Sequence, residues 1–309
     1  MNRRSFVKNN FIASVFAGLA PAAALGFDWE NPQSNRSKNN FNLKYAPHLG
    51  MFSALAGKDE IDQLNFMADQ GFTAFEDNGM KGRAIALQEK MTSTMAQRNI
   101  TMGVFVAHKI YWTEPNLASG DKSKQEEFLS EIKESVEVAK RVNAKWMTVV
   151  PGHVDLRLNL QYQTANVIDT LKRASEILEP HNITMVLEPL NFRDHPGLFL
   201  SESPQAYTIC KAVDSPSCKI LFDIYHQQIQ EGNLIPNIEK CWDEIAYFQV
   251  GDNPGRKEPT TGEINYNNIF KFIHSKGFEG VVGMEHGNSQ SGKEGETAVI
   301  NAYKKSDEF

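Results

Sequence analysis

The sequence predicts a single α/β domain closed into a (β/α)8 barrel, and three observations carry that expectation. Short apolar, β-rich runs recur eight times from residue 43 onward: "NLKYAPH", "FTAFED", "ITMGVFVAH", "KWMTVVPGH", "ITMVLEPLN", "KILFDIYH", "IAYFQVGD" and "GVVGMEHG". Their hydrophobics are nearly continuous rather than alternating, as in strands buried on both faces. Amphipathic stretches separate them with no gap long enough for a second domain, and eight such units in about 250 residues match a closed barrel. The rival, an open doubly wound sheet, has no Gly-x-Gly-x-x-Gly after its first strand to support it.

Taken in order, the chain opens "MNRRSFVKNNFIASVFAGLAPAAALG". Arg3 and Arg4 precede Ser5, Phe6, Val7 and Lys8, and a stretch of small apolar residues follows, the pattern of a twin-arginine export signal over residues 1–26. Gly18 and Pro21 interrupt the apolar part, so no stable membrane insertion is expected, with an uncleaved anchor or a fortuitous basic start as the alternatives. Residues 27–42 read as a polar, flexible lead-in and 43–309 as the barrel. A protein carried by this route crosses already folded, with its metal or cofactor in place, and its destination would be the periplasm or beyond.

Helix signals lie between the strand runs. Ile61, Leu64 and Met67 share one face of the first. Phe128, Ile132, Val136 and Ala139 form one stripe of a long charged helix. Val167, Ile168, Leu171 and Leu178 form another, ending near Pro180. "INYNNIFKFIHSKGF" stops at Gly277. The segment "QQIQEGNLIPNIEKCWDE" reads as a weak helix broken by Gly232 and Pro236, and the last helix also reads as weak.

Polar groups gather where the strands end. In a barrel that end is the catalytic face. Strand five ends at Glu188, strand six at Asp223 and His226, strand seven at Gln249 and Asp252, and strand eight at Glu285 and His286. Ionised carboxylates beside apolar runs are costly unless paired or ligated. One divalent cation bound by Glu188, Asp223, Gln249 and Glu285 accounts for the set. Their hard oxygen donors favour Mg2+ or Mn2+, while Co2+ and Zn2+ are also compatible. His108 and His153 end strands as well; His108 is either a pocket residue or a structural hydrogen-bonding group. Trp112 and Phe52 would offer an apolar wall, or simply pack in the core.

With these residues in view, the chain resembles the xylose isomerase-like TIM-barrel superfamily, and above all its hydroxypyruvate isomerase branch. The resemblance spans residues 43 to about 290 and is carried by "LEPLN", "FDIYHQQI", "QVGDNPGRKEPTTGEINY" and "GMEHG", in the family's order. It implies that Glu188 and Glu285 are both metal ligands and proton-transfer groups, with Asp223 and Gln249 as the other ligands. It implies that His226 and Arg256 bind substrate, with Asp194 as a substrate-facing acid. Pro254-Gly255 would turn the chain so that Arg256 reaches back over the pocket; Glu258 and Glu263 either brace Arg256 or, as the favoured reading, are solvated loop acids. Two positions depart from the pattern: Lys257 and Thr260 stand where His and Gly are expected.

The chemistry implied is metal-dependent aldose–ketose isomerisation of a small keto or sugar substrate, by proton transfer through an enediolate. Epimerisation would use the same parts. An exported lyase or hydrolase acting on 3-keto-glycosides with the same metal site is an alternative, and a non-catalytic sugar-binding protein is another. The chain of 309 residues is 41% hydrophobic with a formal net charge of -6, and loss of Arg3, Arg4 and Lys8 with residues 1–26 deepens this to -9. That balance excludes a general nucleic-acid grip, while a homo-oligomer remains compatible with it. The three cysteines, Cys210, Cys218 and Cys241, match no zinc spacing, and a Cys210–Cys218 disulfide is left open. Changing Arg3 and Arg4 together to Lys is expected to leave the precursor in the cytoplasm, measured by cell fractionation; normal export of that variant refutes the twin-arginine reading.

Overall fold

The computed structural model describes residues 41–309; the export segment and most of the lead-in lie outside the described residues. In chain order the elements are β1 (Lys44–Ala46), α1 (Ser53–Ala56), α2 (Glu60–Asp69), β2 (Ala74–Phe75), α3 (Ile85–Arg98), β3 (Thr101–Met102), α4 (Lys122–Val142) and β4 (Trp146–Val149). They continue with α5 (Leu160–Leu178), β5 (Thr184–Leu187), α6 (Ser203–Val213), β6 (Cys218–Asp223), α7 (Ile224–Gln230), α8 (Leu234–Cys241), β7 (Ile245–Gln249), α9 (Tyr266–Ser275), β8 (Val281–Gly283) and α10 (Gly292–Ser306).

Each of the eight apolar runs contains one strand. All pairings are parallel, in the order β1-β8-β7-β6-β5-β4 for one group and β2-β3 for the other. Backbone hydrogen bonds close the ring between the two groups. Glu76 N–H donates to Pro47 O at 3.1 Å beyond β1 and β2, and Thr148 N–H donates to Phe105 O at 2.8 Å from β4 to the chain after β3. The interior holds a small cluster to which every strand or its continuation contributes: Ala46, Ala74, Val104, Trp146, Val186, Leu221, Tyr247 with its neighbour Ala246, and Val281. A much larger apolar layer lies between the strands and the helices.

The helices form where the spacing puts them. Asp59 caps α2 by accepting from Ile61 N and Asp62 N, and Asp121 caps α4 in the same way. Phe128, Ile132, Val136 and Ala139 are buried along α4. The weak segment after β6 is two helices, and the break falls at Gly232 and Asn233, both with positive φ. Pro236 does not break anything: it sits in the first turn of α8, where the missing N–H has no helical partner to lose. The last helix is longer than its sequence suggests, because Tyr303 of α10 anchors it in the core. Among the described residues, no helix is long and apolar enough to cross a membrane.

The β1–β8 seam is held by aromatic packing. Phe270 of α9 lies 5.1 Å from the Tyr45 ring, 5.2 Å from Tyr266 and 6.3 Å from Tyr303. The Tyr45 hydroxyl donates to Asp307 Oδ1 at 2.8 Å, tying the end of the chain to the first strand. Cys210, Cys218 and Cys241 are buried free thiols, so the structure joins no pair in a disulfide. Phe270→Ala would leave a cavity among three tyrosines and is expected to cost about 3–5 kcal/mol. Chemical denaturation checks it; a loss under 1 kcal/mol would mean that the seam does not depend on this ring.

Candidate active site

Parallel register carries side chains of neighbouring strands to one level. Asp223, the last residue of β6, pairs with Gln249, the last of β7, and Gln249 pairs with Gly283 of β8. Glu188 follows β5 directly, and Glu285 comes two residues after β8. Each therefore stands at the C-terminal mouth. Glu188, Asp223, His226 and Gln249 are buried, while the Glu285 side chain keeps 25% of its exposure.

Glu188, Asp223 and His226 each bring one atom within 4.8 Å of the others. Arg256 Nη2 donates to Asp223 Oδ2 at 2.9 Å and to Glu285 Oε2 at 2.8 Å, so Glu285 joins the group through a shared guanidinium. Asn78, on the loop after β2, donates to Glu285 Oε1 at 2.9 Å. The carboxylates crowd one another. Burial, then Glu285 and Asp223, hold the Glu188 carboxyl well above its ordinary range; burial also raises Glu285, against the pull of Arg256. The mouth therefore has more negative charge than one arginine compensates.

Gln249 adds a second sign of a cation site. Its Oε1 is fully buried and meets no donor. An acceptor left bare beside carboxylates is expensive, and a divalent cation with hard oxygen ligands would satisfy it. The set Glu188, Asp223, Gln249 and Glu285 fits such an ion.

His226 reaches the same place in a defined state. Asn191 Oδ1 accepts from the backbone N–H groups of Arg193 and Asp194, at 3.0 and 2.9 Å, so its amide NH2 must face the other way. That NH2 meets Asp194 Oδ2 at 3.0 Å and His226 Nδ1 at 2.7 Å. His226 Nδ1 is therefore an acceptor, and Nε2 carries the proton. Nε2 has no hydrogen-bond partner and lies 3.8 Å from Glu188 Oε1 and 3.7 Å from Asp223 Oδ2. Burial, as the largest cause, lowers the His226 pKa to about 4, so the ring is a neutral N–H donor aimed into the centre, unsuited to ligate through Nε2.

Arg256 has left-handed backbone, φ 50°, and its loop is pinned. Asp252, fully buried, accepts from the N–H groups of Asn253, Gly262 and Ile264. Gly287 N–H donates to Arg256 O at 3.1 Å. Glu258 is not a solvated acid: it is buried and accepts from Ser289 N and Ser289 Oγ, fastening this loop to the one after β8. Glu263 is exposed as expected, though it accepts from Asn253 Nδ2. The Arg256 guanidinium also lies 4.9 Å over the Tyr225 ring.

Asp194 is placed at the rim, where its Oδ2 accepts from Tyr225 Oη at 2.8 Å, beside a cavity of about 500 Å3 that Tyr225, Asn253 and Gly255 also line. A second cavity of about 270 Å3 lies on the other side, lined by His48, Asn78, Arg83 and Glu285. His108 is not brought to the centre. Its Nε2 accepts from Val150 N–H and its Nδ1 donates to Lys109 O, which spends the ring on backbone. His153 and His286 are likewise held by local carbonyls, and Phe52 is core. Trp112 is half exposed and stacks on His195 at 5.0 Å. Sequence reasoning passed over Glu76, Asn78 and Asn191. Glu76 carries the same signal as the others, an acid closing the run "FTAFED".

A family model described as xylose isomerase-like TIM barrel matches residues 64–305. The chain is 31% identical over 194 residues to hydroxypyruvate isomerase of Escherichia coli, covering 59% of this chain and 75% of that one. It is 26% identical over 232 residues to 2-oxo-tetronate isomerase of Cupriavidus necator, covering 73% and 86%. Among solved structures, a family 2 AP endonuclease from Brucella melitensis superposes with a TM-score of 0.72 at 25% identity, over 82% of this chain and 96% of that one. The 3-keto-D-glucoside 4-epimerase of Escherichia coli gives 0.71 at 16% identity, over 85% and 98%, a likeness of fold alone.

The His108 geometry sets a pH dependence. Burial lowers its pKa from 6.5 to about 4, so the unfolded chain binds a proton that the folded chain refuses between those values. Its stabilising contribution is full above about pH 6.5 and is lost as pH falls towards 4. His108→Gln is expected to flatten this limb of the stability curve by on the order of 3 kcal/mol. Denaturation midpoints at pH 7 and pH 4.5 check it, and an unchanged slope would rule out the buried neutral ring.

Proposed function

The chain belongs to the xylose isomerase-like TIM barrel family, and we propose that it interconverts a small keto substrate and its hydroxyaldehyde partner, in the manner of hydroxypyruvate isomerisation, at a single divalent metal. It is an isomerase of small keto or sugar substrates. The observation that supports the finer reading most is the meeting of Glu188 and Asp223, with Glu285 joined to Asp223 through Arg256 and a bare, buried oxygen on Gln249, the residue paired with Asp223 on the next strand. Glu188, Asp223, Gln249 and Glu285 would hold the ion, Mg2+ or Mn2+ by their oxygen chemistry. Bound there, it would supply Lewis-acid polarisation of the substrate's carbonyl and hydroxyl oxygens.

The chain's own residues account for the rest. Glu188 and Glu285 are the proton-transfer pair. Their raised affinity for protons suits a carboxylate that must take a proton from carbon and give it back. Arg256 is fixed in place by Asp252 and Gly287, so it can hold a substrate carboxylate or oxygen without reordering. His226 Nε2–H donates to a substrate oxygen near Glu188 and Asp223. Asp194 steadies that donor through Asn191 and faces the rim. The twin-arginine start supports export in a folded, metal-loaded form.

Turnover of hydroxypyruvate and of 3-keto-glycosides, with and without a chelator, tests this reading. Activity on the former that is lost with chelator supports it, and selective activity on the latter replaces the substrate class. Glu188→Gln and Glu285→Gln are each expected to lower turnover by at least ~100-fold with the fold intact. Wild type should incorporate solvent deuterium at the carbon next to the carbonyl. Full activity in both variants would reduce these glutamates to other roles.

A further inference from the structure

Beneath the mouth lies a buried acid that none of these roles uses. Glu76 follows β2 and is 2% exposed. Its Oε2 accepts from the Tyr247 hydroxyl at 2.9 Å, and its two oxygens lie 3.5 Å from Gln249 Nε2. The barrel makes room for it. A Cβ on Gly283 would sit 2.0 Å from Glu76 Oε2, and one on Gly103 would sit 2.3 Å from the Tyr247 hydroxyl. β8 and the chain just after β3 thus give up side chains where this pair of groups lies.

Directions along the network follow from donor and acceptor chemistry. Val104 N–H points at the Tyr247 oxygen at 3.4 Å, which uses that oxygen as an acceptor and turns its proton towards Glu76. When ionised, as beside a bound cation, Glu76 offers acceptors only, so the end of the Gln249 amide that faces its two oxygens is the NH2. The amide oxygen is then left at the opposite end, where it is buried and without a donor. Reversing the amide would set its oxygen against the Glu76 carboxylate.

We propose that Glu76 is a positioning residue that fixes the sense of the Gln249 amide, so that oxygen rather than nitrogen is presented to the cation. The inference rests on the metal reading given above. Outer groups that orient ligands in this way change metal affinity by roughly 10- to 100-fold when altered.

The test is Mn2+ binding to metal-stripped full-length protein, followed through the EPR signal of free Mn2+, with no turnover involved. Glu76→Gln keeps the volume between Gly103 and Gly283 and keeps an acceptor for Tyr247, but its amide can now donate to the Gln249 oxygen. It is expected to weaken Mn2+ binding by roughly 10-fold or more. In a Gln249→Ala background the same change should alter binding by no more than ~2-fold, because there is no amide left to orient. Wild-type affinity in Glu76→Gln overturns the proposal. So does a loss that persists undiminished in the Gln249→Ala background, which would mean that Glu76 acts as a charge. If Glu76→Gln lacks a cooperative melt, Tyr247→Phe takes its place in the cycle, with a loss of at least ~3-fold expected only when Gln249 is present. A wild type that binds no Mn2+, Mg2+, Co2+ or Zn2+ fails the metal reading, and the inference falls with it by a separate result.

Discussion

The structure turns on one electrostatic constraint: several carboxylates share a buried mouth, and burial makes it costly to ionise Glu76, Glu188 and Glu285 together. Glu188, Asp223, Glu285 and, below them, Glu76 stand at the ends of four strands. Arg256 supplies one positive charge between Asp223 and Glu285. Burial raises the proton affinity of Glu76, Glu188 and Glu285, the response of acids short of compensation. A closed parallel barrel is the fold that imposes this crowding, since register sets the strand ends at one level and leaves them no edge to spread along.

Other acids stabilise the mouth by organising backbone. Asp252 gathers three amides of the loop that carries Arg256, and Glu258 ties that loop to the one after β8. Asp223 is divided: Oδ1 caps α7 by accepting from Tyr225 N and His226 N, and only Oδ2 meets the guanidinium. The cap also fixes where α7 starts, and so where His226 lies. A rigid Arg256 is consistent with this arrangement, because its left-handed φ is stabilised by bonds on both sides rather than by freedom in the loop.

Much of this was legible in the sequence because period and position carry it. Continuous apolar runs located all eight strands, and acids closing those runs located Glu188, Asp223 and Glu285. Thr260 stands where a glycine was expected, and its φ of 76° shows the backbone reason. Contacts between residues far apart in sequence were not legible. His108 and His226 both follow apolar runs, yet one is spent on Val150 and Lys109 and the other is freed by Asn191. Glu258 sits in a loop as polar as its neighbours, and only the approach of Ser289 buries it. Pro236 looked like a breaker because composition alone does not say which turn of a helix a proline occupies.

The identity of residue 249 follows from the two sides it must serve. Towards Glu76 it faces an acceptor, so a donor is required; at its other end, where the oxygen is buried without a donor, the metal proposed above would require an oxygen. A glutamate would supply oxygen to both sides and set two carboxylates 3.5 Å apart beneath an already acidic mouth. A lysine would satisfy Glu76 and repel any cation bound at the mouth. A primary amide carries an N–H donor and an oxygen acceptor at opposite ends of one planar group without adding charge, whereas a neutral imidazole pairs its donor with a nitrogen. Glutamine rather than asparagine then follows from reach, because the strand ends at this residue and the centre lies beyond it. The neutral amide is thus a consequence of how many acids the neighbouring strands have already placed there.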